Sequence, residues 1–388
     1  MTEFDEIIDR VHTGSVKWDA REQLFGSPDV LPMWVADMDF RAPAPVIEAL
    51  ARRVRHGVFG YQQVEDGYYE SIQGWWRERH GVEVARDWLL YTPGVVPALA
   101  LAVNTYTHPG DRVVIQPPVY PPFTSVVEGS GRRIVHNPLV HTGVRYEIDF
   151  ADLEHKLEQG AEMLILCNPH NPVGRAWTRD ELSRLAALCA AQDTLVVSDE
   201  IHADLVFAPR RHTSFAEVAG AAGCRFVLCA APSKTFNIAG FHSSYVIIPD
   251  TRTRRLFGRQ LTRLSLSSQN ALSCAAVEAA YREGGPWLDS LLPYLADNLS
   301  LLRERLGELG LRAGEVEGTY LAWIDCRDLC RQDEDLKRFW FHEAKVGVNI
   351  GSTFGPGGDG FVRLNAACPR ATVEDAIVRI ESAVRARG

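Results

Sequence analysis

The sequence predicts an α/β protein: a mostly parallel sheet with flanking helices, joined to a smaller α+β domain. Three observations carry this. First, short apolar runs rich in Val, Ile and Leu recur from about residue 110, at DRVVIQPP, EMLILCNPHNP, TLVVSDE, RFVLCAAPSK and SYVIIPD. They are continuous rather than alternating, as strands covered on both faces are. Second, WTRDELSRLAALCAAQ lies between two of these runs and reads as a helix. Thr178 and Glu181 form a capping box, and leucines and alanines recur at helical spacing up to Cys189. Strand, helix, strand at this spacing is a βαβ unit, whose crossover is right-handed. Third, the composition shifts around Pro286. PWLDSLLPYLADNLSLLRERLGEL reads as a long helix leaving the large unit, with Pro293 a candidate bend. Beyond it, TYLAWIDC and GDGFVRLNAAC read as strands of the smaller unit. The expected division is 45–280 for the large domain, and 1–44 with 281–388 for the small domain and its N-terminal segment.

Composition narrows the class. Hydrophobic residues make up 46% of 388, enough for a sizeable core and too many for a disordered chain. There are 41 basic against 50 acidic residues, a formal net charge of -9, which gives no electrostatic case for a direct nucleic-acid or anionic-membrane partner. The most apolar stretch, VVPALALAV, is far shorter than the ~20 residues a bilayer crossing needs. MTEFDEIIDR is acidic and has no apolar core of a secretory signal. The eight cysteines are scattered, form no CxxC pair and are expected to be buried free thiols. A reducing cytoplasm is the expected location.

In open parallel sheets ligands bind beyond the carboxyl ends of strands. Three polar clusters fall at such ends: Asn168 to Gly174, Asp199 to His202, and Ser233 with Lys234. Lys234 alone reads as a loop charge, or as an amine made nucleophilic by a desolvated or cationic pocket. A carboxylate at the tip of a core strand, Asp199, is costly unless paired. It can form a salt bridge, cap a helix, bind a metal or hold a protonated ring nitrogen. The group Asp199, Glu200, His202 and Asp204 matches no ordinary metal-site spacing, and no metal is expected. Asn171, in the turn NPHNPVG, can offer an amide hydrogen bond to a ligand oxygen. TPGVV at 92–96 opens an apolar helical run whose free amides can seat a phosphate. Tyr120 and Tyr61 can supply a stacking face or a phenolic hydroxyl. Pyridoxal phosphate asks for this set of groups and acts as an electron sink once bound.

The motifs LPMWVADMDF, VFGYQ, YTPGVVPAL, NPHNPVG, SDEIHADL, SKTFNIAG and FVRLNAACPR extend the case over the whole chain. In them the sequence resembles the fold-type I pyridoxal-phosphate enzymes of the aspartate aminotransferase superfamily. The wording of WVADMDF, the histidine of DEIH, and SKTFNIAG resemble the branch of cystathionine β-lyases and cysteine-S-conjugate β-lyases related to MalY and PatB. The resemblance implies that Lys234 forms an imine with the cofactor and later moves a proton. It implies that Asp199 pairs with the pyridine nitrogen, Asn171 bonds the 3′ oxygen and Tyr120 stacks on the ring. It implies that the amides of Val95 and Val96, with Ser233, hold the phosphate, that Tyr61 reaches it from the partner of a homodimer, and that Arg363 grips the substrate α-carboxylate.

Two positions depart from the wider superfamily. His202 stands where a tyrosine is common and is expected near the ring. His242 stands where an arginine usually meets the phosphate, leaving more of that work to helix amides and hydroxyls. Both departures agree with the lyase branch. The expected reaction is β-elimination from L-cystathionine or a related cysteine S-conjugate, giving a thiol, pyruvate and ammonia. The alternatives are an aminotransferase and a non-enzymatic regulatory protein, and the resemblance also allows a regulatory protein partner.

Overall fold

The computed structural model describes residues 2–143, 145–330 and 332–387. Its large sheet has seven strands in the spatial order Leu89–Thr92, Ser244–Ile247, Phe226–Ala230, Leu195–Asp199, Met163–Cys167, Arg112–Ile115 and Arg133–His136. The pairings from Phe226–Ala230 to Arg133–His136 are parallel. Ser244–Ile247 runs antiparallel to both neighbours. The sheet is therefore mostly parallel, as expected, with one reversed strand inserted near its edge.

The continuous apolar runs are explained by two cores, one on each face. In the central strands Leu164, Leu166, Val196 and Leu228 enter one core, while Ile165, Cys167, Val197 and Cys229 enter the other. Side chains alternate along a strand, so only a strand covered on both sides needs apolar residues at every position. The helix Arg179–Ala191 covers the first face through Leu182, Leu185 and Ala186. It starts with the expected capping box, the Thr178 hydroxyl accepting from the Glu181 amide. The helix Val95–Tyr106 covers the second face through Ala98, Leu99 and Ala102. The same alternation sends Asp199 toward that second helix, because it shares the parity of Leu195 and Val197.

A second, antiparallel sheet lies C-terminal, in the order Arg312–Ala313, Leu321–Asp325, Phe361–Asn365, Asn349–Ile350. The helix Gly285–Gly307 leads to it and runs unbroken through Pro293. Leu31–Pro32 pairs in parallel with Val346–Gly347, so the N-terminal segment is sewn to the C-terminal part of the chain. All eight cysteines are buried as free thiols. Among the described residues no helix is long and apolar enough to cross a membrane.

The N-terminal segment is held by a buried charge cluster. Lys17, 1% exposed, places Nζ 2.7 Å from Asp39 Oδ2. Arg10 bonds both Asp39, at 2.6 Å, and Asp37, at 2.8 Å, and the Trp18 indole donates to Asp39 Oδ1. Burial opposes the ionised form of Asp39, but Lys17, Trp18 and Arg10 together hold its pKa below the ordinary value. Removing one member of such a cluster strands a buried charge. Asp39→Ala is expected to lower the unfolding free energy by about 3–5 kcal/mol, read as a fall in the urea midpoint with an unchanged slope. A midpoint within error of the parent's would contradict the cluster's structural role.

Candidate functional site

Strand ends and helix starts converge on one cavity of about 590 Å³. Lys234, Asp199, Asn171, Tyr120, His202, Ser233, Val95, Val96 and Arg363 all line it. Nine of the ten residues singled out in the sequence thus meet in one place. The tenth, Tyr61, is fully exposed and lines a separate hollow with Phe59 and Gln269. His242 borders both spaces.

Asp199 ends a central strand and is 4% exposed. Its Oδ1 accepts from the Ile201 amide at 3.1 Å, and no donor among the described residues bonds Oδ2. Burial pushes its pKa up to about 7, against smaller opposing effects from the Ile201 amide and Lys234. Lys234 follows the strand Phe226–Ala230 and presents its remaining surface to the cavity. Its Nζ donates to the Ala36 carbonyl at 2.6 Å. Burial, with the nearby charge of Arg363, lowers its pKa to about 8. Lysine and carboxylate are therefore desolvated in one cavity without a bond between them.

Around them the polar groups are fixed. Arg363, 5% exposed, donates to Asn171 Oδ1 at 3.0 Å, to Asn349 Oδ1 at 2.7 Å and to the Trp34 carbonyl at 3.0 Å. Because the Asn171 oxygen is occupied, its NH₂ end is the one left to a ligand. Burial lowers the Arg363 pKa to about 10, which leaves the guanidinium charged at neutral pH. Burial and the cations Lys234 and Arg363 drive the His202 pKa down to about 3, so the imidazole is neutral. The helix Val95–Tyr106 begins at the cavity, where the Val95 and Val96 amides lack intrahelical acceptors as first-turn amides do. Gly94 at φ +136° permits the close approach of this turn, its own amide donating to Ser244 Oγ at 3.0 Å. Burial raises the pKa of Tyr120, so its phenol is neutral.

The acidic and histidine residues after Asp199 disperse rather than gather. Glu200 turns the other way, accepting from Ser198 Oγ and the Phe215 amide and lying 2.8 Å from His212 Nε2. Asp204 accepts from Trp75 Nε1 and Thr235 Oγ1 and lies 2.8 Å from His80 Nε2. The Thr235 bond anchors the residue beside Lys234. Sequence reasoning missed Asn349, Gly94 and the pocket-lining stretch Trp34, Val35 and Ala36 as individual site residues. Gly94 carried a signal in TPGVV, and the last stretch in the WVADMDF motif, whereas Asn349 carried none.

The uncompensated carboxyl has a stability consequence. With a folded-state pKa near 7 against an ordinary 3.8, its stabilisation is complete below about pH 3.8 and is lost as pH rises through about 7. In the cofactor-free protein Asp199→Asn is therefore expected to stabilise at pH 8.5, on the order of 2–4 kcal/mol, and much less at pH 4.5. Urea unfolding at the two pH values measures this. Equal effects at both, or destabilisation at pH 8.5, would contradict it.

Comparison with known proteins agrees with this geometry. Residues 28–380 match the family model for aminotransferase class I and II. Cystathionine beta-lyase PatB of Bacillus subtilis (strain 168) is 46% identical, over 98% of this chain and 99% of that protein. Protein MalY of Escherichia coli (strain K12) is 35% identical over 100% of both. The crystal structure of cystalysin from Treponema denticola, which contains a pyridoxal 5′-phosphate cofactor, matches with a TM-score of 0.96 at 34% identity over 100% of both chains. The chain belongs to the class I and II aminotransferase family, in its branch of pyridoxal-phosphate C–S lyases related to MalY and PatB.

Proposed function

We propose that this cavity binds pyridoxal 5′-phosphate and carries out β-elimination on L-cystathionine or a related cysteine S-conjugate. The observation that carries it is a half-buried lysine and a buried carboxylate sharing one cavity without bonding each other, their pKa values displaced to about 8 and about 7. Two such groups are poorly served by water or by each other, and well served by an aldehyde and a basic ring nitrogen. The residues present fit the cofactor. Asp199 has an open carboxylate oxygen for the ring nitrogen, and Asn171 has a free NH₂ for the ring's 3′ oxygen. Tyr120 supplies a ring face. The Val95 and Val96 amides and the Ser233 hydroxyl supply the phosphate seat.

Pyridoxal phosphate, when bound, supplies an electron sink for the pair left as the substrate Cα–H bond breaks. This chain's own groups do the rest. Arg363, held by Asn171, Asn349 and Trp34, presents a pre-oriented fork to the substrate carboxylate. The Lys234 amine, with its pKa lowered to about 8, is partly neutral at physiological pH and accepts the Cα proton at Nζ. The neutral His202 keeps a third cation out of the cavity. The carbon–sulfur bond breaks with its electron pair leaving on sulfur, and with one water consumed the products are a thiol, pyruvate and ammonia. From cystathionine the thiol is homocysteine.

The same proposal takes 45–280 as the cofactor-holding domain and 1–44 with 281–388 as the smaller one. The confinement of the two sheets to 89–247 and 312–365 supports it. It also takes the protein as a homodimer in which Tyr61 reaches the partner's phosphate. The exposure of Tyr61, Phe59 and Val58 together, beside His242 at the cavity's border, supports that arrangement. The buried free thiols support a cytoplasmic location.

With cystathionine, thiol and pyruvate are expected in equal amounts with no keto acid added. Turnover that needs a keto acid and yields the matching amino acid would assign the chain to amino transfer instead. Lys234→Ala is expected to remove the borohydride-fixed cofactor label and at least about 10³-fold of kcat, since it deletes both nucleophile and base. A label that persists on that variant would place the reactive amine elsewhere. Sedimentation should give a dimer, and mixed dimers of Lys234→Ala with Tyr61→Ala should regain activity that neither homodimer has. Active monomers would rule out the shared site.

A further inference from the structure

Residues 34–38, the first three of which line the cavity, join neither main sheet, yet their carbonyls are all bonded. Trp34 accepts from Arg363 Nη2 at 3.0 Å, and Val35 from Asn365 Nδ2 at 2.6 Å. Ala36 accepts from Lys234 Nζ at 2.6 Å and from the Tyr320 hydroxyl at 2.9 Å. Asp37 accepts from Asn365 Nδ2 at 2.6 Å. Met38 accepts from Asn237 Nδ2 at 2.9 Å and from Arg10 Nη1 at 3.1 Å. Irregular backbone withdrawn from water is stable only when its polar groups are satisfied, and for these carbonyls side chains supply every donor. The strap is thus a template whose donors include the two groups proposed to act on substrate, Lys234 and Arg363.

Asn237 is the clip on the lysine's side. It lies three residues after Lys234 with φ +56°, a left-handed backbone that asparagine tolerates and most residues do not. Its side-chain amide pairs with the strap as a strand would: Oδ1 accepts from the Met38 amide at 3.0 Å, and Nδ2 donates to the Met38 and Phe40 carbonyls. The Lys234 loop and the strap are joined at two points, Asn237 to Met38 and Lys234 to Ala36, with one strap residue between. Fixing the first fixes the approach of the second.

We propose that Asn237 is a positioning residue for Lys234: it locks the strap so that the Ala36 carbonyl receives and aims the lysine amine whenever that amine is free. The role rests on the function proposed above for Lys234. It matters at proton transfer, when the amine must stand within hydrogen-bond reach of Cα and not swing away from it. The Ala36 carbonyl leaves the nitrogen lone pair unengaged, because it accepts a hydrogen and takes nothing else.

Asn237→Gly tests this, since glycine keeps the left-handed backbone and removes only the amide. The first readout is exchange of the Cα proton of L-alanine with solvent deuterium by the holoenzyme, a substrate with no leaving group, so only proton transfer is reported. The rate at saturation is expected to fall roughly 10- to 100-fold, the loss a misplacement of about 1 Å brings, with KM changed less than about threefold. The second readout uses cofactor-free protein: labelling of Lys234 by trinitrobenzenesulfonate, located by peptide mass spectrometry. It is expected to run about two- to tenfold faster than in the parent, the worth of one lost hydrogen bond. Unchanged exchange and labelling would overturn the proposal. So would an equal fall in every kinetic parameter with loss of cofactor, which marks a merely structural residue. Asn365→Asp, which disturbs the strap from the other sheet, should slow exchange in the same sense, and an unchanged rate there would count against the template. Borohydride-fixed label on Lys234 in the parent is the control. Its absence sinks the reading of the site, whereas its presence beside unchanged exchange sinks only the role of Asn237.

Discussion

A lysine and an aspartate desolvated in one cavity, neither satisfied by the other, set the terms for the rest of this structure. Shifts of roughly three pKa units represent on the order of 3–4 kcal/mol for each group. A domain's net stability is only about 5–15 kcal/mol, so strain of this size must be offset elsewhere. It is offset by the two apolar cores on either face of the seven-stranded sheet, which bury its central strands completely. Asp199 cannot turn away from the cavity without breaking the alternation that puts Val197 into the core and Ser198 toward Glu200.

The second constraint is backbone. Where the N-terminal strap passes between the two sheets it has no ladder to join, and its carbonyls take donors from both sides. Anchored below by Lys17 and Arg10 on Asp39 and Asp37, the strap connects the charge cluster to the cavity. The groups proposed to face substrate are therefore also groups that hold the fold together. Arg363 bonds Asn171 from one sheet's loop and Asn349 from the other sheet, and so spans the cleft proposed to hold the substrate. Its guanidinium also lies over the Phe354 ring, at 5.0 Å from the centroid.

Much of this was legible in the sequence, for physical reasons that differ by element. The central strands announced themselves because burial on two faces forces an unbroken apolar run. The helix at Arg179–Ala191 did so through its cap. The edge strands Leu89–Thr92 and Arg133–His136 did not, because an edge strand is partly exposed and short, and its residues carry no such run. Nor could SYVIIP reveal that it runs antiparallel, since direction leaves no mark on a buried strand. At the site, strand-end position found Lys234, Asp199 and Asn171, and a helix start found Val95 and Val96. Asn349 and Asn237 had no such position to betray them. Asn349 meets the Arg363 side chain across a strand pair of the second sheet, and Asn237 meets the distant backbone of Met38 and Phe40, and neither meeting is decided until the chain folds.

In the proposed function Asp199 is held open and desolvated for a protonated ring nitrogen. Calorimetric titration of cofactor-free protein with pyridoxal phosphate, and with its analogue carrying carbon in place of the ring nitrogen, tests it most directly. A charge-assisted hydrogen bond contributes about 1.5–3 kcal/mol. The parent should therefore prefer the natural cofactor by roughly ten- to hundredfold, and Asp199→Asn should lose most of that preference. Equal affinity of the parent for both compounds would mean that Asp199 does not meet the ring nitrogen.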